Sequence, residues 1–158
     1  MKKVIYSLAV IILCLSSVNA KQVTSALAKQ VAQNYIQQNA RVKGVDLILT
    51  YTERSAAGVP DYYVFEINNN TGFVIVSAED AGRPVIGYST ESSYQIPSAA
   101  SNPGFHFWMQ SRKEEIEYIR DHNVQANTEI TNQWAAYAAS KDIPSQVMST
   151  PHDPHCTT

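Results

Sequence analysis

The sequence predicts an α+β domain: an antiparallel sheet of about four strands with one N-terminal helix and one or two C-terminal helices packed on it. Three observations lead there. Apolar residues recur every three or four positions over 23–40 and again over 103–122, the period of an amphipathic helix. Between them lie four short stretches rich in branched and aromatic residues, separated by Asn, Gly and Pro, the composition of strands and turns. Strands and helices are also segregated along the chain rather than alternating, which favours antiparallel pairing over a parallel crossover fold.

The chain opens with Lys2 and Lys3, an almost wholly apolar run from Val4 to Leu15, and Val18-Asn19-Ala20, the layout of a secretory leader with cleavage expected after Ala20. The run is about 12 residues, against the ~20 that span a bilayer. A lipoprotein reading on Cys14 conflicts with the bulky Leu13 before it. The expected product is an exported chain, periplasmic or extracellular. Domain boundaries follow: a leader over 1–20, a folded domain over 21–144 and a frayed tail over 145–158, where Pro151 and Pro154 break any period.

Within the domain, Leu27, Val31 and Tyr35, with Ala28, Ala32 and Ile36 beside them, define a first helix over 23–40 capped near Thr24 or Ser25. Asp46 to Thr52 reads as a strand, followed by a loop at Ala56-Ala57-Gly58-Val59-Pro60. Strands are expected at about 61–67, 72–78 and 84–90. Asn68-Asn69-Asn70-Thr71-Gly72 supplies residues that tolerate positive φ for a hairpin turn. In the 72–78 strand Phe73 and Ile75 point one way while Val74, Val76 and Ala78 point the other, so both faces are apolar. Such a strand is either covered by helices on both sides or leaves one face for a partner. After the break 96–104, Phe105, Trp108, Met109, Arg112, Ile116 and Ile119 form the inner face of a helix from near Pro103 to His122, with Lys113, Glu114, Glu117, Arg120 and Asp121 outside. Ile130, Trp134 and Tyr137 anchor a last helix around 128–140 that ends before Pro144.

Composition excludes several functions. The chain has 12 basic and 14 acidic residues in 158. Loss of the leader removes two of the basic ones, leaving a net charge of −4 with no cluster of Lys or Arg. That is not the footprint of a nucleic-acid binder or of an anionic-membrane binder. A chain of this size buries enough surface for one core without staples, so one domain is expected, and the free chain is expected to be a monomer. Once Cys14 is cleaved away Cys156 is alone, and no internal disulfide can form.

No catalytic constellation is legible. A thiol nucleophile needs a rigidly held His, and Cys156 shares a proline-broken tail with His152 and His155. The group His152-Asp153-Pro154-His155-Cys156 has ligand types suited to zinc or nickel but no framework to fix them, so neither metal nor cofactor is expected. His106 and His122 bracket the second helix as boundary residues, His122 suiting a helix C-terminus. Glu79 and Asp80, adjacent at a strand end, should diverge and serve the turn rather than act as an acid/base pair. Asn69-Asn70-Thr71 matches a glycosylation sequon but reads as a turn. Most aromatic residues fall at core-compatible positions, with Phe107 and Trp108 as candidates for exposed anchors.

One pattern is more specific. Tyr62-Tyr63-Val64-Phe65-Glu66-Ile67, then Thr71-Gly72-Phe73-Val74-Ile75-Val76-Ser77-Ala78-Glu79-Asp80, then Arg83-Pro84-Val85-Ile86-Gly87-Tyr88-Ser89 resembles the propeptide of streptopain-like secreted cysteine peptidases. The likeness covers roughly 22–122, is strongest over 61–94, and includes the helix with Trp108-Met109 and Glu114-Glu115-Ile116. It departs over the loop 95–104 and after 123. Too little chain follows Ser89 for a catalytic domain of roughly 200 residues, so the inhibitory half is expected without its enzyme, as in the freestanding Spi-type inhibitors. The resemblance implies a reversible, noncatalytic inhibitor whose partner is a streptopain-like cysteine peptidase. Its inhibitory segment would be Ser101, Asn102, Pro103 and Gly104, entering the active-site cleft. Asn102 has two compatible readings, the blocking side chain that the resemblance implies and a plain helix cap. Two other classes stay open: an exported ligand-binding module and an intermolecular folding helper that reuses the same fold.

Overall fold

The computed structural model describes residues 21–40 and 44–139. The expected leader with Cys14, and Pro144 and the expected tail with His152, His155 and Cys156, lie outside these residues. The order is α1 (Ser25–Asn39), β1 (Leu47–Arg54), β2 (Pro60–Ile67), β3 (Gly72–Ser77), β4 (Val85–Ser89), α2 (Pro103–Asp121) and α3 (Thr128–Ala138). The strands form one antiparallel sheet in the order β1-β2-β3-β4. This is the expected α+β arrangement. Among the described residues no helix is long and apolar enough to cross a membrane.

The sheet is the middle of three layers. Val74, Val76 and Ala78 join Tyr63, Phe65 and Ile67 in a core beneath α1 and α3, while Ile75 packs with Tyr62, Val64, Met109 and Ile116 beneath α2. Both faces of β3 are therefore covered by the chain's own helices, and the reading in which one sheet face waits for a partner does not hold. The double-sided apolar pattern reflects a central strand buried twice.

Local chemistry sets each boundary. Thr24 caps α1, its hydroxyl accepting from the Leu27 amide at 3.3 Å. The helix buries Ala28, Val31, Ala32, Tyr35 and Ile36, but Leu27 is exposed at its margin. A spacing of four residues drifts roughly 40° per step, so Leu27, Val31 and Tyr35 cannot all face inward. At the β2–β3 hairpin Asn68, Asn69 and Asn70 take φ of 44°, 56° and 71°, the left-handed region that Asn tolerates better than most residues. Asn68 also accepts from the Asp46 amide at 2.8 Å through its side chain, tying the turn to the start of β1. Asn127 caps α3. That helix is held by Trp134, whose Nε1–H donates to Gly82 O at 2.9 Å, and by Tyr137, edge-on to Tyr35 at 5.1 Å. Burial and the neighbouring Tyr88 and Tyr137 push the Tyr35 phenol up to about 12.

Two glycines separate backbone necessity from permissiveness. A Cβ on Gly72 would lie 2.3 Å from Ser89 O on the adjacent strand, whereas one on Gly104 would meet nothing within 4 Å. Gly72→Ala is therefore expected to cost about 3 kcal/mol in urea unfolding as β3 and β4 are forced apart. Gly104→Ala should be neutral or stabilising by up to about 1 kcal/mol.

Candidate functional site

The expected site residues gather at the N-terminal end of α2. Asn102 is the N-cap: its Oδ1 accepts from the Phe105 amide at 3.1 Å, its carbonyl from His106 N at 2.9 Å, and Pro103 occupies the first turn. The preceding turn is closed by Asn102 N donating to Ser98 O at 3.0 Å and by the Ser98 and Ser101 hydroxyls, 2.6 Å apart. Ser101, Asn102, Pro103 and Gly104 are all exposed. With the Asn102 oxygen committed to the cap, its two amide N–H donors are what the side chain offers to solvent.

Phe107 and Trp108, which the sequence paired as anchors, behave differently. Neighbours on a helix point roughly 100° apart. Phe107 projects away from the sheet and is 76 % exposed; Trp108 is 39 % exposed and lies against β4, where a Cβ on Gly87 would come within 3.1 Å of its ring. His106 Nδ1 sits 3.4 Å from Pro97 O. This contact brings Ile96, 63 % exposed, alongside the first turn of α2.

Aromatic contacts tie this end of the helix to the sheet. Trp108 stacks on Phe105 at 5.9 Å, Phe105 meets Tyr94 at 6.1 Å, and Tyr94 meets Phe73 at 5.4 Å and Tyr51 at 5.9 Å. The loop from β4 to α2 is thereby pinned across the face of the sheet through Tyr94.

The rest of α2 is held by ion pairs. Arg120 Nε donates to Glu79 Oε1 at 2.7 Å, and its Nη2 lies 2.9 Å from Asp61 Oδ1 and 2.8 Å from Pro60 O. Asp61 and Glu79 are 0 % and 1 % exposed. One turn-pair earlier, Lys113 Nζ reaches Glu53 Oε1 at 2.5 Å and Arg54 O at 2.9 Å, and Tyr51 donates to the other Glu53 oxygen. Arg120 and Lys113, assigned to the outer face from sequence, in fact flank the inner one. The available signal was an acid, Asp61, within the otherwise apolar strand Asp61–Phe65.

Glu79 and Asp80 do diverge. Glu79 turns in to Arg120, while Asp80 Oδ1 accepts from Lys21 N at 2.7 Å. His122 caps α2 at its C-terminus and stacks on Tyr118 at 4.0 Å. Among the described residues no group of three or more His, Cys, Asp or Glu side chains is arranged to hold a metal ion. This constellation offers a rigid apolar knob beside a polar cap.

Comparison with known proteins places this geometry in context. The model of a family described as Spi protease inhibitor matches residues 20–116, more than half of the chain. A thiol protease/hemagglutinin, PrtT, of Porphyromonas gingivalis is 24 % identical over 154 residues, an alignment that covers 93 % of this chain and 17 % of that protein. The chain thus spans about a sixth of the length of this relative. No solved structure matches it.

The ion cluster generates a prediction with a defined sign. Burial raises the Asp61 carboxyl to about 6 from the ordinary 3.8, against the pull of Arg120. The folded state keeps a proton that the unfolded chain releases at lower pH. Asp61 therefore favours the fold most below about pH 4, and that contribution is lost as pH rises through 6. Asp61→Asn, neutral throughout, should gain stability relative to the parent between pH 4 and 7 by about 2 kcal/mol. Arg120→Met, which strands two buried carboxylates, should cost about 3–5 kcal/mol at pH 7. Urea titrations at several pH values test both, and a pH-independent difference for Asp61→Asn would overturn the first.

Proposed function

We propose, from the premise that this chain belongs to the Spi protease inhibitor family, that it inhibits a streptopain-like thiol protease by seating the N-terminal end of α2 in the active-site cleft. Membership supports the coarser role, a protease inhibitor rather than an enzyme, with a protease as its partner. The thiol class of the target is supported by the printed name of the relative that aligns along nearly all of this chain.

The observation that carries the mechanism is the exposed, cap-locked segment Ser101–Gly104 with Phe107 standing clear of the fold. A protease cleft binds extended peptide, drawing the scissile carbonyl toward its nucleophile. This segment is already coiled into a helix start, so its backbone is held in the wrong shape for cleavage. Phe107 supplies an apolar anchor of the kind that dominates interface energetics. The Asn102 amide N–H groups are positioned to donate to a thiolate or carbonyl in the cleft. Because the segment is preorganised by its cap, turn and aromatic contacts, little ordering entropy opposes docking. A contact of about 800 Å² per partner, typical of stable complexes, is within reach of a domain this size. Residues 1–20 serve as the export leader, which brings the inhibitor to secreted proteases.

Titrating the purified chain against a streptopain-like thiol protease should lower its rate saturably and reversibly, with the inhibitor recovered uncleaved. Phe107→Ala should weaken inhibition by roughly tenfold or more. Asn102→Ser, which keeps a good N-cap but removes the amide donors, should weaken inhibition while leaving thermal stability unchanged. Full inhibition by Asn102→Ser would remove that residue from the contact. Failure of the parent chain to inhibit would remove the mechanism altogether.

A further inference from the structure

We infer that the cleft between the free edge of β4 and the flank of α2 is a second contact surface for the protease, one that takes an extended segment bearing a carboxylate side chain. This rests on the thiol-protease reading above and adds a partner chemistry to it.

The cleft encloses about 450 Å³, with Val85, Ile86, Trp108 and Ile116 among its apolar walls and Arg83 and Arg112 beside them. β4 is the last strand of the sheet, and no described strand pairs with its outer side. A register shift against β3 leaves both Ile86 and the side-chain-free Gly87 toward α2, which makes room for Trp108. An open strand edge beside a side-chain cleft is the arrangement that binds peptides by strand addition: main-chain hydrogen bonds supply affinity, and the cleft reads alternate side chains.

Charge decides the occupant. Glu115 also lines the cleft, but Arg112 neutralises it at 2.7 Å. Arg83 makes no hydrogen bond or ion pair among the described residues, and the Arg112 Nε–H is buried without an acceptor. The cleft therefore holds one uncompensated positive charge, on the exposed Arg83, which fits a carboxylate. The edge strands of a second copy do not supply one: Glu53, the sole acid of β1, is locked to Lys113, and β4 carries no acid. Trp108 belongs both to this cleft and to the end of α2, so a protease seated on Phe107 and Asn102 lies next to the strand edge.

The test compares the purified chain with Arg83→Glu and Arg83→Lys against a streptopain-like thiol protease. Arg83 is exposed and unpartnered, so neither change should alter the melting temperature. Arg83→Glu should raise the inhibition constant at least tenfold and flatten its dependence on salt, Arg83→Lys should largely retain inhibition, and hydrogen exchange at Val85–Ser89 should slow in the complex. Unchanged inhibition by Arg83→Glu with an unprotected β4 would overturn this inference while leaving the docking of α2 intact. Protection of β4 without protease, with sedimentation as a dimer, would assign the edge to a second copy and overturn it too. No inhibition by the parent chain would instead sink the reading on which it rests.

Discussion

The placement of α2 depends on a single guanidinium. Arg120 reaches through one flank of the helix to two fully buried carboxylates, Asp61 at the start of β2 and Glu79 just after β3. Burying two anions against one cation adds little net stability, but such a cluster can select one arrangement. Here the arrangement selected is the axial position and rotation of α2 on the sheet. A helix packed on Met109, Ile116 and Ile119 alone could slide or roll by a fraction of a turn with little loss of apolar burial. The ion cluster, seconded by Lys113 and Glu53, allows one setting. That setting determines where Asn102, Phe107 and Trp108 emerge.

The opposite end of α2 is fixed by different physics. Beyond Met109 the helix runs toward the loop, and its position is set by edge-to-face and stacked rings from Trp108 through Phe105 and Tyr94 to the sheet. Ion pairs at one end and aromatic contacts at the other make the helix a rigid lever. Rigidity suits the proposed docking in a protease cleft, because each rotamer or backbone angle frozen before binding does not have to be frozen during it. The absence of a side chain on Gly87 belongs to the same device, since Trp108 would be displaced by a larger residue beneath it.

Much of this was legible in the sequence, and the parts that were not share a cause. Helix and strand periods were clear because both layers of helices bury apolar stripes against a sheet, and the two-faced pattern of β3 correctly marked a central strand. The capping role of Asn102 could be read from its place before Pro103. What escaped were properties of pairs distant in the chain. Lys113 and Arg120 carry charges, so a helical wheel assigns them to water, although their partners Glu53, Asp61 and Glu79 lie on the sheet. Phe107 and Trp108 look alike as neighbours, and only the register of α2 against Gly87 separates the projecting ring from the seated one. The cleft beside β4 is invisible in any local window because one wall comes from the strand and the other from the helix.

Two departures from local rules lie at the surface. Single exposed apolar residues are ordinary, but Phe107 is accompanied by Ile96 and Trp108 around one helix end, where polar residues would serve the isolated fold better. Among the described residues Arg83 is left without a partner beside apolar walls, while three other cations near the sheet, Arg112, Lys113 and Arg120, are each paired within the chain. Sequences that otherwise agree with their fold at every level depart from it where function demands. Neither departure helps the domain alone, and in the proposed complex each would be relieved by burial against a second surface: an apolar pocket for Phe107, an acidic segment for Arg83. The two breaches flank Trp108, so one partner can relieve both at once, which is the condition a rigid inhibitor must meet to hold a protease without being cut by it.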